Sequence, residues 1–263
     1  MTETGASIEA LEGYRSFAEA LAIEAGEVTL SYFRTGVAVD RKSDDTPVTV
    51  ADRETEKLIR SRIAKSYPEH TIIGEEGGAE TQDSRYSWII DPIDGTKAFV
   101  HGVPFYTVLI AFAIDERPVM GVIHAPALEE TVSGATGCGV RYNRGDASVS
   151  GVRRLENARL HGTDFADLVR RYPTGGPALL SRVRAARTWA DAFGYLMLVT
   201  GRADLMLDPV MSLWDIAPLY PILEEAGAAW SDFQGRRDTP GDSIIAAASQ
   251  ELLEEAFSVI SLG

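Results

Sequence analysis

The sequence predicts a layered α/β protein, an α+β N-terminal half joined to an α/β C-terminal half in one body. Three observations carry that prediction. Two amphipathic helical patterns open the chain, a run of short apolar strands follows, and from about Arg159 strands and helices alternate, as layered folds do. No internal repeat, low-complexity tract or clear linker separates the halves, so residues 1–263 read as a single unit divided into 1–150 and 151–263.

Taken in order, residues 7–34 place Leu11, Tyr14, Ala18, Leu21, Ala25, Val28 and Tyr32 at three- and four-residue steps, the spacing of an amphipathic helix. Residues 40–47 (DRKSDDTP) read as a polar loop. Thr49 is placed to cap a second helix, with Leu58, Ile59 and Ile63 on its apolar face, ending before Pro68. Thr71–Ile73 is a short strand, followed by Gly74-Glu75-Glu76-Gly77-Gly78. Trp88-Ile89-Ile90 is the interior of another strand, which surfaces at Asp91. Thr107–Ile114 and Val119–His124 are strands joined by a turn at Asp115-Glu116-Arg117-Pro118, and Glu130–Ser133 is a third. In the second half, Asp164–Arg171 and Trp189–Thr200 read as helices, the latter ended by Gly201, and Asp204–Leu207 as a strand. A helix opens at Trp214 and stops at Gly227, Ser243–Ala247 is a strand, and a last helix starts after Ser249.

Hydrophobic content of 45% and charged content of 24% are ordinary for a globular protein. A formal charge of -14 argues against nucleic acid or an anionic membrane surface as partner. It also means that an anionic substrate must meet a local cation. The single cysteine, Cys138, excludes an intrachain disulfide and a thiolate metal cage. The acidic opening MTETGASIEALEG lacks the pattern of a signal peptide, and no apolar run approaches the ~20 residues of a membrane span. A cytoplasmic protein is expected.

The chemistry centres on Trp88–Phe99 (WIIDPIDGTKAF), where a buried strand runs into two carboxylates. Asp91 and Asp94 repel one another and resist burial unless something positive sits between them. A hard cation such as magnesium wants oxygen ligands, and Asp91, Asp94 and the carbonyl of Ile93 supply three. Gly95 then permits a backbone turn that presents its own amide and that of Thr96 to an anion. Each neighbouring feature also has a plainer reading. Asp-Pro and Asp-Gly pairs form turns, GEEGG is a solvated acidic loop, Asp215 after Trp214 caps a helix, and Asp52 suits a helix dipole. Four such features together, each at a strand end or helix start, point to a site.

Other catalytic classes fit less well. The chain has no Gly-x-Ser-x-Gly elbow and no phosphate-cradling Gly-x-x-x-x-Gly-Lys loop. His70, His101, His124 and His161 lack metal-ligand spacing, and Cys138 sits in a glycine turn with no adjacent base. Water activated by a metal therefore fits better than a protein nucleophile.

These segments resemble the inositol monophosphatase-like, magnesium-dependent phosphomonoesterases. PVTVADRETE, IIGEEGG, WIIDPIDGTKAFVHGVP and LWDIAPLYPILEEAGA fall in that family's order and approximate spacing over nearly the whole chain. The resemblance implies an αβαβα sandwich, frequently a homodimer, with a metal- and phosphate-binding half (1–150) and a substrate-specificity half (151–263). It implies two or three Mg2+ per site, held by Glu75, Asp91, Asp94, Asp215 and the Ile93 carbonyl. The Gly95 and Thr96 amides would contact phosphate, and Thr96 would lie beside Asp52, the two orienting Glu75 as it deprotonates water. Within the family, residues 187–215 look most like the histidinol-phosphate phosphatase branch. That branch usually has Trp-Gly-Asp-Cys where this chain has Trp189-Ala190-Asp191-Ala192. Asp191 is retained, Asp208 falls where relatives contact the non-phosphate part of the substrate, and Arg187 is a further candidate. Histidinol phosphate carries an ammonium and an imidazole that two carboxylates suit. Rival readings are inositol monophosphate, a sugar phosphate or a 3'-phosphonucleotide as substrate, or a non-catalytic phosphate-binding scaffold.

Overall fold

The computed structural model describes residues 6–41, 47–237 and 241–262. Helices α1 (Ile8–Tyr32) and α2 (Val50–Ser66) flank a small ribbon of β1 (Val39–Arg41) and β2 (Pro47–Thr49). The polar loop expected at 40–47 thus has β-structure at both ends, and its centre lies outside the described residues. Next come β3 (Thr71–Gly74), β4 (Gly78–Glu80), β5 (Tyr86–Asp94), the short helix α3 (Thr96–Val100), β6 (Thr107–Ile114), β7 (Arg117–Ala125), β8 (Glu130–Ala135), β9 (Val140–Tyr142) and β10 (Gly145–Asp146). They form one eight-stranded sheet, ordered β10-β9-β8-β7-β6-β5-β3-β4, in which β3 pairs parallel with β5 and the other neighbours pair antiparallel.

The second half contains β11 (Arg159–Gly162), α4 (Phe165–Arg171), α5 (Gly175–Arg182), β12 (Ala185–Arg187), α6 (Asp191–Val199), β13 (Leu205–Asp208), α7 (Leu213–Ile216), α8 (Leu219–Glu225), β14 (Ala229–Ser231), β15 (Ile244–Ala247) and α9 (Gln250–Ile260). Its strands make a five-stranded sheet, β12-β11-β13-β15-β14, with β11 parallel to both neighbours. Helices α1 and α2 cover one face of the large sheet. Helices α6, α7 and α8 lie between the sheets, and α9 covers the far face of the small one with α5 packed on it. The layers are therefore αβαβα. Apolar cores fill the gaps, the central one joining Leu109 and Ile123 of the large sheet to Phe193, Leu196, Ile222 and Trp230. Close approach is enforced at Gly121, where a Cβ would fall 1.9 Å from the Pro218 carbonyl oxygen. No helix among the described residues is long and apolar enough to cross a membrane.

Several boundaries differ from the sequence expectation for stated reasons. Strand β5 does not end at Ile90 but runs through Asp91-Pro92-Ile93-Asp94, with an irregular register against β6 between the two aspartates. Proline is tolerated at such a bulge because no ladder N–H is needed there. The helix expected from Trp189 begins at Asp191, after a turn in which Trp189 has φ 63°. The helix expected over Trp214–Gly227 is two helices, broken where Pro218 cannot donate to the preceding turn. Helix α5 and the edge strands β12 and β14 carried no clear periodicity.

Candidate active site

Because β3 and β5 run parallel, with Gly74 opposite Ile90, their carboxyl ends lie side by side, and Glu75 emerges next to Asp91. The Glu75 amide donates to the Ile90 carbonyl (3.3 Å). The bulge then turns the chain so that Asp91 and Asp94 face the same space, and Asp215 arrives from the first turn of α7. One carboxylate oxygen from each of Asp91, Asp94 and Asp215 lies within 4.8 Å of the others. Each is anchored. Asp91 Oδ1 accepts from the Ile93 amide (3.0 Å), and Asp94 Oδ2 accepts from the Thr107 hydroxyl (2.9 Å) and the Ala192 amide (2.8 Å). Asp215 Oδ2 accepts from the Ser212 amide (2.7 Å) as part of a capping box. Capping and cluster membership are thus compatible in one residue, because a carboxylate has two oxygens. Gly95 adopts φ 76°, which a side chain would strain, and opens α3.

Burial is the first cause that drives the Asp91 and Asp94 carboxyls well above the usual range. Glu75, Asp94 and Asp215 add to it at Asp91, and Asp191 and Asp215 add to it at Asp94. Asp215 is pushed up to about 6, again by burial first, with Glu75 as the leading charged neighbour. Anions this crowded ionise together only when a cation offsets them. The donor set is oxygen alone and fits a hard divalent ion better than a thiophilic one. The cluster opens into a cavity of about 450 Å³ lined by Glu75, Asp91, Asp94, Gly95, Thr96 and Lys97 on one wall. Thr163, Asp191, Met211, Trp214 and Asp215 form the other wall. Lys97 is the only cationic side chain among the described lining residues.

The sequence profile of the inositol monophosphatase family matches residues 10–261. The chain belongs to the inositol monophosphatase family. Members are phosphoric monoester hydrolases, and the carboxylate cluster lies within the matched region. The chain is 38% identical to the histidinol-phosphatase of Chlorobaculum parvum over 231 residues, covering 86% of this chain and 89% of that one. It is 35% identical to the histidinol-phosphatase of Mycobacterium tuberculosis over 240 residues, covering 86% and 90%. Among solved structures, an inositol monophosphatase from Zymomonas mobilis superposes with TM-score 0.85 at 31% identity, covering 96% of this chain and 99% of that one.

The other sequence candidates have different fates. Asp191 lines the cavity, and Asp208 lines a smaller recess beside it. The Thr163 hydroxyl donates to Asp208 Oδ2 (3.0 Å) and also hydrogen-bonds Asp191, and these three with Asp94 and Asp215 line a recess of about 80 Å³. Burial raises both carboxyls, Asp208 well above the usual range, with Asp191 its main charged neighbour. Thr96 lines the cavity, but its hydroxyl donates to the Ile93 carbonyl (3.1 Å) rather than to Asp52. In the first turn of so short a helix, that carbonyl three residues back is the acceptor within reach. Asp52, 1% exposed, closes a capping box by accepting from the Thr49 amide (2.8 Å) and hydroxyl (2.7 Å) through Oδ2. Its Oδ1 is buried with no hydrogen-bond partner, and burial pushes the group up to about 6. Arg187 is not in the cavity lining: it is exposed on edge strand β12 and donates to the Ala186 carbonyl. Sequence reasoning missed Thr163 and Lys97. Thr163 had a usable signal, because it follows β11 at the carboxyl end of a parallel strand, where ligands gather.

Proposed function

We propose that this chain is a magnesium-dependent phosphatase whose substrate is L-histidinol phosphate. The observation that carries the substrate class is the Asp191–Thr163–Asp208 group. One hydroxyl has a single proton for two carboxylates, Asp208 buried and Asp191 half-buried. Three carboxylates of the cluster and Glu75 are available to a metal. Among the described residues Lys97 is the one cation that offsets Asp191, and Asp208 has Thr163 alone, so the pair still suits a second, donor-rich cation. An ammonium meets that need, whereas a neutral hydroxyl of inositol leaves the Asp191–Asp208 pair undercompensated.

On this reading Glu75, Asp91, Asp94, Asp215 and the Ile93 carbonyl hold two or three Mg2+. When bound, the ion neutralises phosphate charge and makes nearby water more acidic. The Gly95 and Thr96 amides, opening α3, take the phosphate oxygens. Glu75 orients the attacking water and accepts its proton at a carboxylate oxygen, with the Thr96 hydroxyl as the neighbouring positioning group. For Asp52, the capping bonds support a part in fixing the Thr49 turn. A part in proton transfer rests on its unpartnered Oδ1. Arg187, on the exposed edge strand, is supported for substrate contact by charge alone. A homodimer is proposed from the family resemblance.

The test is phosphate release from histidinol phosphate against inositol 1-phosphate, a sugar phosphate and a 3'-phosphonucleotide, each with magnesium and with chelator. A higher kcat/KM for histidinol phosphate is expected. A preference for inositol 1-phosphate would overturn the substrate assignment, and no turnover of any ester would revive the scaffold reading.

A further inference from the structure

Helix α2 buries two carboxylates one turn apart, and only Asp52 belongs to its cap. The other, Glu56, is 2% exposed. Its carboxylate does not face solvent or the metal cluster. Oε2 accepts from the Glu76 amide (2.8 Å), and Oε1 accepts from the Gly77 amide (2.7 Å) and from Arg60 Nε (2.7 Å). Arg60 in turn donates through Nη2 to the Gly78 carbonyl. Three successive residues after Glu75 are therefore tied through their backbone to one ion pair on α2. Glu75 itself is tied on the other side, through its amide, to β5.

The glycines around Glu75 follow from the same contact. A Cβ at Gly74 would fall 2.5 Å from Glu56 Oε1, and one at Gly77 would fall 2.8 Å from the same atom. The loop thus closes directly over the Glu56–Arg60 pair. A side chain on either glycine would push them apart.

We infer that the Glu56–Arg60 pair is a positioning unit for Glu75, holding the Glu75–Gly78 loop where the Glu75 carboxylate meets Asp91. This rests on the proposed role of Glu75 as a metal ligand. A buried bidentate acceptor serves this purpose better than a surface contact, because water cannot replace it when the loop fluctuates. Outer partners of metal ligands typically change metal affinity 10–100-fold when removed.

The experiment measures Mn2+ binding to the full chain by calorimetry, alongside the magnesium dependence of kcat and thermal melting. Glu56→Gln puts an NH2 group against amides that need an acceptor. It should weaken Mn2+ binding roughly 10–100-fold and raise the half-saturating magnesium concentration, with kcat recovering at high magnesium. Arg60→Lys keeps the charge but cannot hold Glu56 and the Gly78 carbonyl together. It should weaken Mn2+ binding in the same direction and remains measurable if Glu56→Gln does not fold. Arg62→Met, on the same helix but paired with exposed Glu24, controls for loss of a helix cation and should leave Mn2+ binding unchanged. Folded Glu56→Gln or Arg60→Lys protein with wild-type Mn2+ affinity and only a lower melting temperature would overturn the inference. Glu75→Gln separates the two readings. If it leaves Mn2+ binding intact, the ligand assignment itself fails; if it weakens binding while the clamp variants do not, only the clamp fails.

Discussion

Asp191→Asn is the substitution that most sharply separates substrate reading from metal binding. Asp191 is the leading charged neighbour raising the Asp94 carboxyl, so neutralising it removes one of the charges that a cation would offset. Because Asp191 is not itself among the proposed ligands, metal affinity should fall only modestly, and saturating magnesium removes that effect from the comparison. The backbone is expected to tolerate the change: residue 191 has φ 36°, where Asn is at ease, and the Ala192 amide still donates to Asp94. What is lost is the charge offered to the substrate ammonium, since the Asn NH2 group is a donor facing a donor. A charge-assisted hydrogen bond contributes roughly 1.5–3 kcal/mol, which is tenfold to about a hundredfold in kcat/KM. An aryl phosphate, touching only the metals and the Gly95–Thr96 amides, should lose less than about threefold. The assay is kcat/KM for both esters at saturating magnesium in wild type and variant. Equal losses would place Asp191 in the support of the fold or metals, and no loss on either would remove the main physical ground for a cationic substrate.

Asp94→Asn should abolish turnover and keep the fold, and chelator should abolish wild-type activity until magnesium is restored; activity in metal-free buffer would sink the mechanism. Asp52 has a carboxyl raised from the ordinary 3.8 to about 6, so the folded state binds more protons than the unfolded one between those values. Its ionisation then costs stability as pH rises from about 4 to 6, on the order of 3 kcal/mol. Asp52→Asn should stabilise the metal-free protein at pH 7 and not below pH 4; melting that shows the same difference at both pH values would refute this. Gly121→Ala should destabilise by about 3 kcal/mol, since its Cβ meets backbone rather than a movable side chain, and an unchanged melting temperature would show that α8 can shift away.

Local order is legible in the sequence wherever one strong periodicity or cap decides it. Helices α1 and α2, strands β6 and β7, and the Asp91–Asp94 pair fall this way because their patterns depend only on near neighbours. The Thr49 cap and the place of Asp52 in the first turn were readable for the same reason, whereas the capping box that Asp52 closes is seen only in the structure. The family-specific segments, read together, also indicated the layered architecture and the carboxylates of the cluster, because ligand types and their order along the chain are sequence properties. What the sequence left open depends on contacts between distant segments. Strand β5 continues through a proline because it bulges there against β6, and the Trp214–Gly227 pattern splits to seat α8 against Gly121. Thr163 has meaning only beside Asp191 and Asp208, which lie on α6 and β13. The Glu56–Arg60 clamp is similar: the helix spacing was readable, but its grip on residues 76–78 exists only once α2 packs beside β3. Arg187 shows the converse, since a basic residue near the motif in sequence was carried to an exposed edge strand by the register of β12 on β11. Charge and type are written along the chain, but which carboxylates share a proton or a cation is decided by the layers that bring them within a few ångströms.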